Sequence, residues 1–151
     1  MGRVAEAPEA ITFYRARAPY GWMSNFSRHP IRVQGRLWST VEHYFQAQKA
    51  RDEEGALRVW EAPTPAQAKR QGRLVKMRPD WHKVRDDVML QGVRAKFTQH
   101  PGLREMLLAT GDALLIEHTA NDSYWGDGGD GSGRNRLGEI LMQVRSELAK
   151  G

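Results

Sequence analysis

Two short segments in the N-terminal third alternate apolar and polar positions. "AITFYRAR" and "IRVQGRLW" carry the period of two that a half-buried strand requires, with Ile31 and Val33 on one face. Gln34-Gly35 suits the turn of a hairpin leading into "RLW". At Trp38 the period changes. In "WSTVEHYFQAQKA", Val41, Tyr44, Phe45 and Gln48 recur at helical spacing, which predicts an amphipathic helix. Thr64-Pro65 reads as an N-cap followed by proline at the first helical position, opening a helix to about Lys76. Asp80 is placed to cap the next helix, whose apolar stripe is Trp81, Val84, Val88 and Ala95. Pro101 opens a shorter helix ending near Thr110-Gly111. "ALLIEH" reads as a strand and "EILMQVRSELA" as a final amphipathic helix. Neither a repeat nor a linker divides the chain. The expected fold is α+β: one mainly helical domain over residues 1–151, with a small antiparallel sheet.

At 151 residues the chain is long enough for a single sizeable core. No apolar run reaches membrane-spanning length, so no membrane partner is expected. "MGRVAEAPEA" has no apolar leader core. There is no cysteine, which excludes disulfides, thiolate metal sites and a thiol nucleophile. A cytoplasmic protein is the expectation. The net charge of +5 is unevenly spread. Between positions 66 and 100, nine Lys or Arg face three Asp, a local excess of +6 that leaves −1 for the remainder. Such an excess suits a phosphate-bearing partner, nucleotide or nucleic acid, and equally suits two solvated helix faces.

Candidate chemistry sits at two places. Glu42, Gln46 and Lys49 share one helical stripe, so a carboxylate, an amide and an amine project together. Such a group can do acid–base work. The alternative is structural: Ser39-x-x-Glu42 fits a capping box, in which Glu42 only satisfies a backbone N–H. The second place is "NDSYWGDGGDGSGRNRLG", which holds six glycines, three acids and two aromatics. Its G-x-G-x-x-G match lacks the flanking strand and carries acids that would repel pyrophosphate. It has no Walker lysine, and counting from Asp127 it fails the calcium-loop pattern at positions three and twelve. What remains is a loop with aromatic walls, carboxylates and backbone able to approach a ligand closely. The five histidines show no metal-ligand spacing, and no metal or cofactor is expected.

"YGWMSNFSRHPI", "WSTVEHYFQAQKA", "MRPDWHKVRDDVM", "KFTQHPGLREMLLATG" and "NDSYWGDGGDGSGRNRLGEILMQVR" occur in an order that resembles the NADAR family, the YbiA-like N-glycosidases. The likeness spans about 13–149. Ser39 departs from the proline common there, and the loop after Trp125 is glycine-richer. The resemblance implies hydrolysis of a bond between ribose C1 and an exocyclic base amine. The substrate implied first is a phosphorylated riboflavin intermediate. The alternatives are ADP-ribosylated guanine in DNA, or binding of NAD or ADP-ribose without turnover. By the same resemblance, Glu42 is the carboxylate beside C1, and Lys49 is a donor to the leaving group or a Schiff-base amine. Asp127 and Asp122 serve as a second carboxylate or as holders of the ribose hydroxyls. Trp81 and Trp125 are stacking walls, and Arg134 and Asn135 bind phosphate or backbone groups.

Overall fold

A computed structural model describes residues 9–151; the N-terminal stretch considered above as a possible leader lies largely outside them. The described elements are β1 (Ala10–Phe13), β2 (Ile31–Val33), β3 (Arg36–Trp38), α1 (Val41–Gln48), α2 (Glu53–Trp60), α3 (Pro65–Leu74), α4 (Trp81–Gln99), α5 (Pro101–Ala109), β4 (Leu114–Glu117) and α6 (Arg136–Lys150).

The expected antiparallel sheet is the β2–β3 hairpin, with Ile31 opposite Trp38 and Val33 opposite Arg36. Gln34 and Gly35 both adopt positive φ, 53° and 79°, as a two-residue hairpin turn demands. A second pair was not expected. β1 and β4 run parallel, with Ile11 beside Leu115 and Phe13 beside Glu117. A parallel pair requires a crossover, and here almost the whole helical body supplies it.

α1 is the central helix, buried along nearly its entire length and packed against α2, α3 and α4. Its N-cap is Thr40, whose hydroxyl accepts from the His43 N–H at 3.1 Å. The alternative reading, a capping box of Ser39 and Glu42, therefore does not form. The cap stands one residue later, and Glu42 occupies the second helical position, free of capping duty. α2 was not expected; Asp52 caps it by accepting from the Gly55 N–H. α3 opens as expected on Thr64 and Pro65. Asp80 precedes α4 but its side chain makes no capping bond. Arg78 takes both its carboxylate oxygens, at 2.6 and 3.0 Å. α4 lies against α6, where Arg94 grips Glu147 through two bonds of 2.9 and 2.8 Å. One core cluster runs from Ile11 to Val144 and draws on every strand and helix layer.

The glycine-rich loop between β4 and α6 is closely stitched. Asp122 Oδ1 accepts from the N–H groups of Tyr124 and Trp125 at 2.9 and 2.8 Å. The Asp127 carboxylate accepts from the Thr119 and Gly129 N–H groups at 3.0 and 2.8 Å. Gly129 sits at φ +88°, and a Cβ there would meet Ala120 Cα at 2.9 Å. Its glycine content is thus set by left-handed backbone and close packing rather than by flexibility.

Candidate active site

Three elements converge where α1, the end of β4 and the glycine loop meet. α1 contributes Glu42, Gln46 and Lys49. The Glu42 carboxylate is buried and accepts one hydrogen bond, from Gln46 Nε2 at 2.8 Å. Burial pushes its pKa above the usual carboxylate range. The Gln46 amide and the charges of Lys69 and Lys49 oppose that shift, and Asp122 reinforces it. Gln46 packs against the bare backbone of Gly72 on α3, where a Cβ would overlap its side-chain oxygen. That close approach fixes the amide against Glu42.

Lys49 closes α1. Its carbonyl accepts from the Arg78 N–H at 3.0 Å, and the Ala50–Met77 bridge ties the same turn to the segment after α3. Burial and the nearby Arg73 lower the Lys49 pKa, against a smaller opposing pull from Glu42. A lysine so placed reaches the neutral amine, the form that attacks carbon, more readily than a free lysine does.

Sequence reasoning missed Glu117. It ends β4, and loop and helix clamp its backbone from both sides. Its N–H donates to Asn135 Oδ1 at 3.0 Å, and its carbonyl accepts from the Asp127 N–H at 2.8 Å. Its carboxylate makes no hydrogen bond among the described residues. Burial, reinforced by the charges of Asp122 and Glu42, raises its pKa to about 7. The only sequence signal was an acid closing an apolar strand. Lys69, one of the basic stretch, joins the cluster by its charge on both glutamates.

The two glutamates are therefore unlike. Glu42 has a hydrogen-bond donor and two lysines to hold its charge. Glu117 has no donor, and Lys69 alone supports its charge against Asp122, Glu42 and Asp127. Both carboxylates are pushed toward the protonated form, Glu117 to about 7, so either can hold a proton closer to neutral pH than a free carboxylate does. A pH consequence follows. If Glu117 delivers a proton, kcat/KM should fall as pH rises through about 7, and Glu117→Gln should be slow and lack that limb. Stability carries the same sign. The folded state holds this proton more tightly than the unfolded one, so wild type loses stability between 4.5 and about 7 as pH rises. Glu117→Gln should thus melt higher than wild type in alkaline buffer. An unchanged alkaline limb in the variant contradicts the acid role.

Of the other expected site residues, Asp122 acts by its charge on both glutamates, and Trp125 packs on Phe45 of α1, ring centroids 5.4 Å apart. Three others have their side chains engaged within the protein. Trp81 is 5% exposed and packs on Phe45 at 5.0 Å from within the core, which leaves no face for a substrate. Asp127 spends its carboxylate on the loop: besides the two N–H groups above, it meets His118 Nδ1 at 2.7 Å, and His118 holds its pKa low. Asn135, in left-handed backbone, donates its amide N–H to the Leu115 carbonyl and accepts at its oxygen from the Glu117 N–H, so its side chain is spent on positioning β4. Arg134 is exposed above Tyr124.

The basic stretch also resolves. Arg78 and Arg94 are paired with Asp80 and Glu147, Lys96 is buried on the Ser24 carbonyl at 2.9 Å, and Lys69 and Arg73 act on the site. Arg70 lies apart from them, in a cleft with Arg58 and Gln67. A separate cleft of about 350 Å³ between the hairpin, α1 and α2 holds Arg36, Arg51 and Arg78 but none of the clustered carboxylates.

Residues 12–149 match the NADAR domain. The chain is 50% identical over 141 residues to the N-glycosidase YbiA of Escherichia coli K12, covering 92% of this chain and 88% of that one. It is 44% identical over 143 residues to the N-glycosidase Npun_R5314 of Nostoc punctiforme, covering 91% and 92%. It is 46% identical over 142 residues to the riboflavin biosynthesis protein VVA0006 of Vibrio vulnificus, covering 93% of this chain and 39% of that one. The NMR structure of E. coli YbiA superposes with a TM-score of 0.88 at 48% identity, covering 97% and 88%. Fold and sequence agree, and the chain belongs to the NADAR family.

Proposed function

We propose that this protein hydrolyses the N-glycosidic bond between ribose C1 and an exocyclic base amine, and that its substrate is a phosphorylated riboflavin intermediate. The observation that carries the reading is the meeting of a buried carboxylate, Glu42, and a half-buried one, Glu117, both of raised pKa, with a lysine of lowered pKa. The names of its relatives, N-glycosidases and riboflavin biosynthesis proteins, support a substrate from that context.

A ribosylamine opens to an imine at C1. The Lys49 amine adds to that carbon while Glu117 passes a proton to the departing nitrogen. The C1–N bond to the base breaks, the base leaves as a free amine, and a Lys49–C1 iminium remains. Glu42 then draws a proton from water, whose oxygen bonds to C1. Collapse releases the sugar as an aldehyde and frees Lys49. In the collapse the hydroxyl proton passes to the Lys49 nitrogen, and the proton held by Glu42 returns to Glu117, so the net change is addition of one water. Positive charge at C1 lies beside the Glu42 carboxylate throughout.

The basic stretch gives little support to a DNA strand as partner, because its charges are divided among ion pairs, core and site. The reading is tested by incubating the protein with a phosphorylated ribosyl-amine intermediate and, separately, with DNA carrying ADP-ribosylated guanine. Release of the ribosyl group from the small compound at the faster kcat/KM is expected. Turnover of the modified DNA alone overturns the substrate, and turnover of neither overturns the activity.

A further inference from the structure

Tyr124 lies at the edge of the site beside Trp125, their rings 4.9 Å apart and nearly perpendicular. It is held at both ends. Asp122 accepts from its N–H at 2.9 Å, and its hydroxyl donates to Asp86 Oδ1 at 2.7 Å. Two guanidinium groups sit over its ring, Arg85 of α4 at 3.8 Å and Arg134 of the loop at 5.0 Å from the centroid.

These two arginines differ from their neighbours. Arg78, Arg94, Arg136 and Arg145 each donate to a carboxylate, hydroxyl or carbonyl. Among the described residues neither Arg85 nor Arg134 has a side-chain acceptor, and Arg85 Nε is sealed from solvent with none. Burying part of a guanidinium with no acceptor is costly, and two like charges gathered on one ring repel each other. Contact with an aromatic face offsets only part of that. Asp86, next to Arg85 in the chain, is already engaged by Tyr124 and by Arg136, at 3.3 Å. An arrangement left short of negative charge is suited to receive it, and forked N–H donors match a phosphate. The location fits as well. Asp122, whose oxygen holds the Tyr124 and Trp125 backbone, acts by its charge on both Glu42 and Glu117.

Resting on the N-glycosidase reading above, we propose that Arg85 and Arg134, stacked on Tyr124, form the subsite for the substrate's phosphate monoester and make the enzyme prefer phosphorylated ribosyl-amines. Arg85 was not singled out by the sequence; only its place against Tyr124 reveals it.

The test compares one ribosyl-amine substrate with its dephosphorylated form, on wild type, Arg85→Gln, Arg134→Gln and Arg85→Lys. Wild type should favour the phosphorylated form through KM. Each Gln variant should shrink that preference roughly tenfold or more, the effect of losing a charge-assisted hydrogen bond. The Lys variant should recover part of it by charge alone. Inorganic phosphate should bind wild type, read by titration calorimetry, and bind Arg85→Gln more weakly. The inference is overturned if the Gln variants lose both substrates by the same factor, or if phosphate binding is unaltered. Calorimetry needs no turnover, so it judges the subsite even if wild type cleaves neither compound, an outcome that would sink the activity and not the subsite. Melting curves identify a variant that fails to fold, and Arg134, which is exposed, then carries the test.

Discussion

Glu42→Gln should lose roughly two or more orders of magnitude in kcat while melting at or above the wild-type temperature. The size is that expected for removal of an acid–base group. The direction of the stability change comes from burial. A carboxylate enclosed in α1 is costly to hold ionised, as its raised pKa records, and the isosteric amide removes that cost. The hydrogen bond with Gln46 survives in altered form, because Gln offers an oxygen in the same place. Loss of activity without loss of stability is the mark of a residue kept for chemistry. A structural Glu42 gives the opposite pattern: a variant that turns over normally, or one that unfolds. The geometry already weighs against the capping role, since Thr40 performs it.

Lys49→Arg should be inactive, with the loss exceeding that of Glu42→Gln. Arginine keeps the positive charge and a similar length but cannot act as an amine nucleophile. If Lys49 acted only as a cation near C1, the Arg variant would retain a substantial share of the wild-type rate. Lys69→Arg makes the matching control. Lys69 acts on the same two carboxylates by charge alone in this scheme, so its Arg variant should retain most activity. Inactive Lys69→Arg with active Lys49→Arg would exchange their roles.

Much of the fold was legible because local chemistry and tertiary need agree. Gln34-Gly35 tolerates the left-handed backbone of the hairpin, and Thr64-Pro65 specifies a helix start by itself. α2 was not legible. It has eight residues, a glycine inside and only Val59 as a buried apolar side chain, so its period is too weak to read. The parallel β1–β4 pair was invisible for another reason. Each strand alone looks like half of a hairpin, and nothing local records a partner at the other end of the chain.

The site divides along similar lines. Glu42 and Lys49 were legible as neighbours because helical spacing places them so. Glu117 was not, because an acid at a strand end reads as surface until the loop folds over it. Asp127 and Asn135 show the converse. Their side chains resemble ligand-binding groups in sequence, but the backbone of β4 and the loop consumes their hydrogen-bonding capacity. Sequence shows which polar groups exist, and only the folded chain shows which are left over.

The most direct measurement is to reduce the enzyme with borohydride during turnover of the phosphorylated ribosyl-amine and map the modified peptide by mass spectrometry. An iminium at C1 should be trapped as one covalent sugar phosphate on Lys49, with formation abolished in Lys49→Arg and dependent on substrate. Steady turnover under the same conditions with no adduct on Lys49, or an adduct on Lys69 instead, contradicts the mechanism.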